Sequence, residues 1–163
     1  MRSRTKKIAF IGICASVALI LSYIEAMLPP IYAAVPGIKV GLANIAILFV
    51  LYRYGVREAV IVSFIRILIS TMLFGSVTML LYSIAGAALS IALMAICKHF
   101  DLFSTIGISI IGGVAHNIGQ TFVAMLLLET AEIGYYMFIL AISGTLAGIF
   151  IGLCVGLLLK RLS

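Results

Sequence analysis

A bundle of six transmembrane α-helices in one domain, residues 1–163, is the fold class the sequence predicts. It is all-α, with its second segment short and preceded by a Pro/Gly-broken loop. Three observations predict it. Apolar residues make up 64% of the chain and charged ones 10%, against about 25% charged in a soluble domain, so lipid solvates most of this surface. Apolar runs near the roughly 20 residues that a helix needs to cross the hydrocarbon core recur along the chain. The basic residues collect at the ends of these runs, where they orient a membrane protein. The net charge of +6 therefore reads as a topology signal, and no nucleic-acid partner is expected.

The runs are Ile8–Leu28, Gly41–Tyr52, Ala59–Phe74, Val77–Cys97, Ile106–Leu128 and Tyr136–Leu159. The first follows a basic stretch, as in a signal peptide. Its apolar part is too long for a typical h-region and no clean cleavage site follows, so an uncleaved first helix is expected. The second is too short to cross alone. It follows "PPIYAAVPGIKV", where Pro29, Pro30, Pro36 and Gly37 oppose a helix. Ile31–Val40 reads as a partly inserted loop that completes the crossing. The third run is a little short, and the last three pass easily. With no tryptophan, the seven tyrosines and the basic side chains must anchor the interfaces.

Orientation follows from lysine and arginine. With the N-terminus in the cytoplasm, Arg2, Arg4, Lys6, Lys7, Arg53, Arg57, Lys98, Lys160 and Arg161 are inside. Lys39 faces out, with Glu129 and Glu132, and Arg66 lies within a span. A multi-pass protein of the cell (plasma) membrane with both termini cytoplasmic is expected, with the lipid bilayer as its first partner. Cys14, Cys97 and Cys154 lie far apart in or beside apolar runs and lack metal-ligand spacing. They read as small buried residues, and neither a metal site nor a cofactor is expected.

Two stripes of small residues suit close helix packing in lipid. Gly144, Gly148, Gly152 and Gly156 recur every fourth residue in the last run. Cys14, Ala18, Ser22 and Ala26 form a looser stripe in the first, with Gly12 and Ser16 nearby. Each is either an internal seam or a docking face for another subunit.

The polar residues inside the spans carry the functional signal. Arg66 sits mid-span, where a fixed charge costs at least about 2.5 kcal/mol and must face the bundle interior or a water-filled cavity. It is either paired internally, with Glu25 the best partner, or an anchor for an anionic solute, since a guanidinium forks onto carboxylate or phosphate. His116 and Gln120 are four residues apart and share a helix face, with Asn117 beside them. Helix rise puts Arg66 and His116 near mid-depth, and Asn44 nearer the outer side. Asn44, Arg66, His116, Asn117 and Gln120 are therefore expected to converge on one outward-open cavity, and Lys39 is expected to help Arg66 attract an anionic solute. The alternative is that these side chains hydrogen-bond helices together. Enzyme chemistry is poorly supported. Asp101 is the one aspartate, so no aspartate pair can hold magnesium on a diphosphate. No phosphate loop, HExxH or cysteine–histidine arrangement is present.

"VPGIKVGLANIAILFVLYRYGVREA" and "GGVAHNIGQTF", with "RILIS" and "LYSIAGAALSIALMAI", resemble the Gx transporter family, also labelled heptaprenyl diphosphate synthase component I, over nearly the whole chain. That family is similar in size and layout to the S components of energy-coupling factor (ECF) transporters. Those are six-helix proteins that bind vitamins on the outer side and dock on a transmembrane coupling subunit with ATPases through small residues of helix one. Where they carry Ala-x-x-x-Ala, this chain has Cys14-x-x-x-Ala18 and Gly12-x-x-x-Ser16. Two functions are thus expected. One is a membrane-embedded solute-binding or translocating subunit of an uptake transporter, for an anionic or phosphate-bearing vitamin, flavin or isoprenoid-type precursor. The other is a non-catalytic membrane subunit of a prenyl (heptaprenyl) diphosphate synthase or of a membrane electron-transfer complex.

Overall fold

The computed structural model describes residues 2–27 and 41–162. Six α-helices follow one another: α1 (Arg2–Met27), α2 (Asn44–Arg53), α3 (Val56–Phe74), α4 (Val77–His99), α5 (Thr105–Leu128) and α6 (Met137–Leu162), the last entered through a 3-10 turn at Ala131–Tyr136. No strand occurs among the described residues. The all-α, membrane-type bundle expected from composition is what forms, and each predicted run is a helix. α1, α4, α5 and α6 are long and apolar enough to cross a membrane. α3 has 19 residues but carries Arg57, Glu58 and Arg66. α2 has ten, about 15 Å of rise, half of a hydrocarbon core. The loop expected at Ile31–Val40, with Lys39, lies outside the described residues.

Local chemistry sets the helix ends. Ser76 Oγ accepts the Met79 N–H and Ser104 Oγ accepts the Gly107 N–H, so α4 and α5 each start on a serine cap. The turn between α2 and α3 passes through Gly55 at φ +105°, a conformation that L side chains avoid. At the far end of α2, Lys98 Nζ donates to the carbonyls of Leu51 and Tyr52 at 2.6 and 3.4 Å. A cation there satisfies orphan carbonyls and complements the helix dipole. Lys7 Nζ meets Glu58 Oε1 at 2.6 Å and ties α1 to α3. That hydrogen bond holds the Glu58 carboxyl below its ordinary range, so the tie is present above the ordinary carboxylate pKa and is lost as the pH falls through the lowered one.

α2 is the centre of the bundle. Every residue from Ala46 to Leu51 is buried, and α1, α3 and α6 pack around it. α5 lies between α4 and α6. Helices in lipid gain little from the hydrophobic effect, because lipid tails are as apolar as leucine, and are held by close packing. The α5/α6 seam shows this. Gly144 lies on Gly113, Gly148 on Ile110 and Gly152 on Ile106, so the two helices run antiparallel with backbones in contact. Three of the four stripe glycines are thus internal, and a Cβ on Gly156 would meet nothing within 4 Å. On α1, Cys14 and Ala18 face inward while Gly12 and Ser16 are exposed, and Ser16 Oγ donates to the Gly12 carbonyl. Cys14, Cys97 and Cys154 are free thiols, the first two buried, as expected.

Ile47, 1% exposed in α2, offers a mild test of this packing. Ile47→Val is expected to lower stability by about 1 kcal/mol through lost dispersion contacts, read from denaturant unfolding in detergent. An unchanged midpoint would mean that α2 is not tightly packed.

Candidate functional site

Polar side chains gather inside the apolar bundle around the start of α2. The chain enters that helix through Gly41, whose φ is +90°. Its N–H donates to Glu25 Oε1 on α1, and its carbonyl accepts from the Asn44 N–H at 2.8 Å. A Cβ here would lie 2.9 Å from Asn44 Nδ2 and 3.6 Å from His116 Cδ2. Gly41 is therefore the point where polar atoms of α1, α2 and α5 meet.

His116 reaches this point because α4 and α5 approach closely. A Cβ on Gly86 would lie 2.9 Å from both His116 Nδ1 and Gln120 Cγ, so only glycine leaves room for the imidazole. His116 and Gln120, one turn apart on α5, bring their Nε2 atoms to 3.1 Å. With the amide nitrogen as donor, the ring Nε2 is the acceptor.

Arg66 occupies the α1–α3 side. It lies ten residues after Val56 and eight before Phe74, about 15 and 12 Å along the axis. Its Nη1 donates to Ser22 Oγ at 3.2 Å. Nε and Nη2 have no hydrogen-bond partner among the described residues. Glu25, on the same face of α1 as Ser22, attracts the guanidinium electrostatically. The expected Glu25–Arg66 pair is thus one of neighbouring charges, while Glu25 Oε1 accepts the Gly41 N–H.

Some of the residues singled out in the sequence lie together and others do not. Asn44, His116 and Gln120 meet at Gly41 and Gly86, and Glu25 links this group to Arg66. Asn117 turns away from it, donating through Nδ2 to the Leu140 carbonyl of α6 at 2.7 Å. Its contact is a helix–helix bond. Lys39 lies outside the described residues. All five mid-span polar residues are at most 7% exposed, so the described side chains are enclosed. Three positions beyond the expected set matter. Gly41 and Gly86 make room for the polar group, which a single sequence signals only weakly. Ser63 is buried one turn before Arg66 on α3, and its Oγ has no partner among the described residues. Its i, i+3 spacing from a mid-span arginine is a legible signal.

Chemically, the arrangement suits binding and orientation. Among the described residues no group of three His, Cys, Asp or Glu side chains could hold a metal ion. A buried guanidinium with unsatisfied N–H groups, a buried carboxylate, an imidazole and two amides can fix a polar solute inside an apolar protein.

These features define a membrane-type helical bundle with a polar group enclosed at its centre. The chain belongs to the heptaprenyl diphosphate synthase component I family, whose model matches residues 14–158. No curated protein and no solved structure matches it. The family name describes one component of a synthase and implies a partner component.

Proposed function

We propose that this protein is the membrane-embedded binding subunit of an uptake system for an anionic or phosphate-bearing solute. Arg66 anchors the solute, and Asn44, His116 and Gln120 orient it. The observation that carries this reading is Arg66. A fixed charge at mid-span is retained at a cost of at least about 2.5 kcal/mol, yet two of its three guanidinium nitrogens have no partner among the described residues. An arginine kept as structural glue would have spent those donors on neighbouring helices. On this reading both termini are cytoplasmic and the solute enters from outside.

Native mass spectrometry of the protein in mild detergent tests this, comparing wild type with Arg66→Ala. A small-molecule adduct present in wild type and lost in the variant is expected, and its mass identifies the solute. A second reading is favoured by the family name: a non-catalytic membrane component of a prenyl diphosphate synthase. On that reading no adduct is seen and a synthase component co-purifies with wild type and Arg66→Ala alike.

A further inference from the structure

The way Arg66 is held narrows the chemistry of its ligand. A guanidinium offers donors on two edges that can take two oxygens at once: the end formed by both Nη groups, and the side formed by Nε–H and Nη2–H. In this structure Nη1 is committed to Ser22 Oγ. The two nitrogens without a partner among the described residues are Nε and Nη2, which are the side edge. The residue is 3% exposed, so water from the surface does not satisfy that edge. Ser63, buried on the same face of α3 one turn away, adds a hydroxyl that also lacks a partner among the described residues.

Resting on the reading proposed above, we infer that the ligand is an oxyanion, a carboxylate or phosphate, held side-on by Nε–H and Nη2–H of Arg66 with the Ser63 hydroxyl beside it. Ser22 is a positioning residue: by engaging Nη1 it fixes the rotation of the guanidinium and leaves the side edge open. Glu25 neighbours the same guanidinium, so it opposes the incoming anion. Lysine at position 66 keeps the charge but has no planar fork, which separates this geometry from simple charge attraction. The depth of Arg66, about 12 Å from the nearer end of α3, favours a free solute over the phosphate of a bilayer lipid, whose headgroup lies at the interface.

The test uses full-length protein in nanodiscs of phosphatidylcholine, with radiolabelled inorganic diphosphate as probe and succinate and choline as competitors. Thermal unfolding of each variant is measured alongside. Saturable diphosphate binding is expected, displaced by succinate and not by choline. It should weaken about tenfold or more in Arg66→Lys and several-fold in Ser22→Ala, and tighten in Glu25→Gln. Wild-type affinity in a folded Arg66→Lys overturns the side-on fork. If the adduct seen by native mass spectrometry is also lost in Arg66→Ala yet kept in Arg66→Lys, the solute-binding reading survives and the fork alone fails. A parallel arm adds phosphatidylglycerol to the nanodiscs. Retention of that lipid by wild type but not by Arg66→Lys, with no diphosphate binding, supports the fork with a lipid phosphate in it and overturns the uptake reading. Absence of all three ligands from the wild type overturns the inference. Should Arg66→Lys fail to fold, Ser22→Ala and Glu25→Gln decide: opposite changes in affinity support the inference, and no change in either overturns it.

Discussion

Replacing Glu25 by leucine is expected to destabilise the bundle by about 3–5 kcal/mol, the range for removing one partner of a buried charge pair. Arg66 is enclosed at mid-span, and Glu25 is the charge that attracts it. Leucine removes that attraction and leaves a guanidinium in an apolar interior, while the Gly41 N–H loses the acceptor it has in Glu25 Oε1. The effect should be largely relieved in Glu25→Leu/Arg66→Met, since an apolar pair of similar volume often replaces a buried ion pair at little cost. Unfolding in detergent of the two single variants and the double variant gives the coupling directly. A double variant no more stable than Glu25→Leu would show that the two charges do not depend on each other, and that Glu25 serves Gly41 alone. Glu25→Gln separates the roles, because it keeps an acceptor for Gly41 and removes only the charge.

The six apolar runs were legible because lipid enforces a simple rule: a span must be helical and apolar. The short second run also read correctly as a segment unable to cross alone, since Gly41 to Tyr52 is too few residues at 1.5 Å each. Its place was not legible. Apolarity on every side of α2 is equally consistent with a lipid-facing stub, and only the packing of α1, α3 and α6 around it makes it the core. The site followed the same division. Spacing alone put His116 and Gln120 on one face, and their ring–amide contact confirms it. Spacing did not foresee that Asn117, the next residue, turns about 100° round the helix and bonds to α6. Nor did it foresee that Glu25 would accept from the backbone N–H of Gly41. Those outcomes depend on which helix lies against which, information that a periodicity within one segment does not hold.

The glycine stripe of α6 yields the other large effect. Gly148→Leu is expected to lower stability by at least about 3 kcal/mol, at or beyond the upper end for overpacking a core. A Cβ on Gly148 would fall 2.6 Å from Ile110 Cα and 2.9 Å from the Ser109 carbonyl oxygen. These are backbone atoms of α5, which no rotamer change can move aside. α5 and α6 must separate, and with them goes the dispersion that holds two helices together in lipid. The separation also draws α5 away from its register on α4, so solute binding through His116 and Gln120 should fall with stability. Gly156→Leu is the matched control, because a Cβ there meets nothing within 4 Å, and its unfolding midpoint should equal that of wild type. Equal midpoints for both variants would mean that α5 and α6 do not meet along this stripe. A stable Gly156→Leu that nevertheless loses a co-purifying subunit would separate the two uses of one stripe: Gly144 to Gly152 for the internal seam, and Gly156 for a partner.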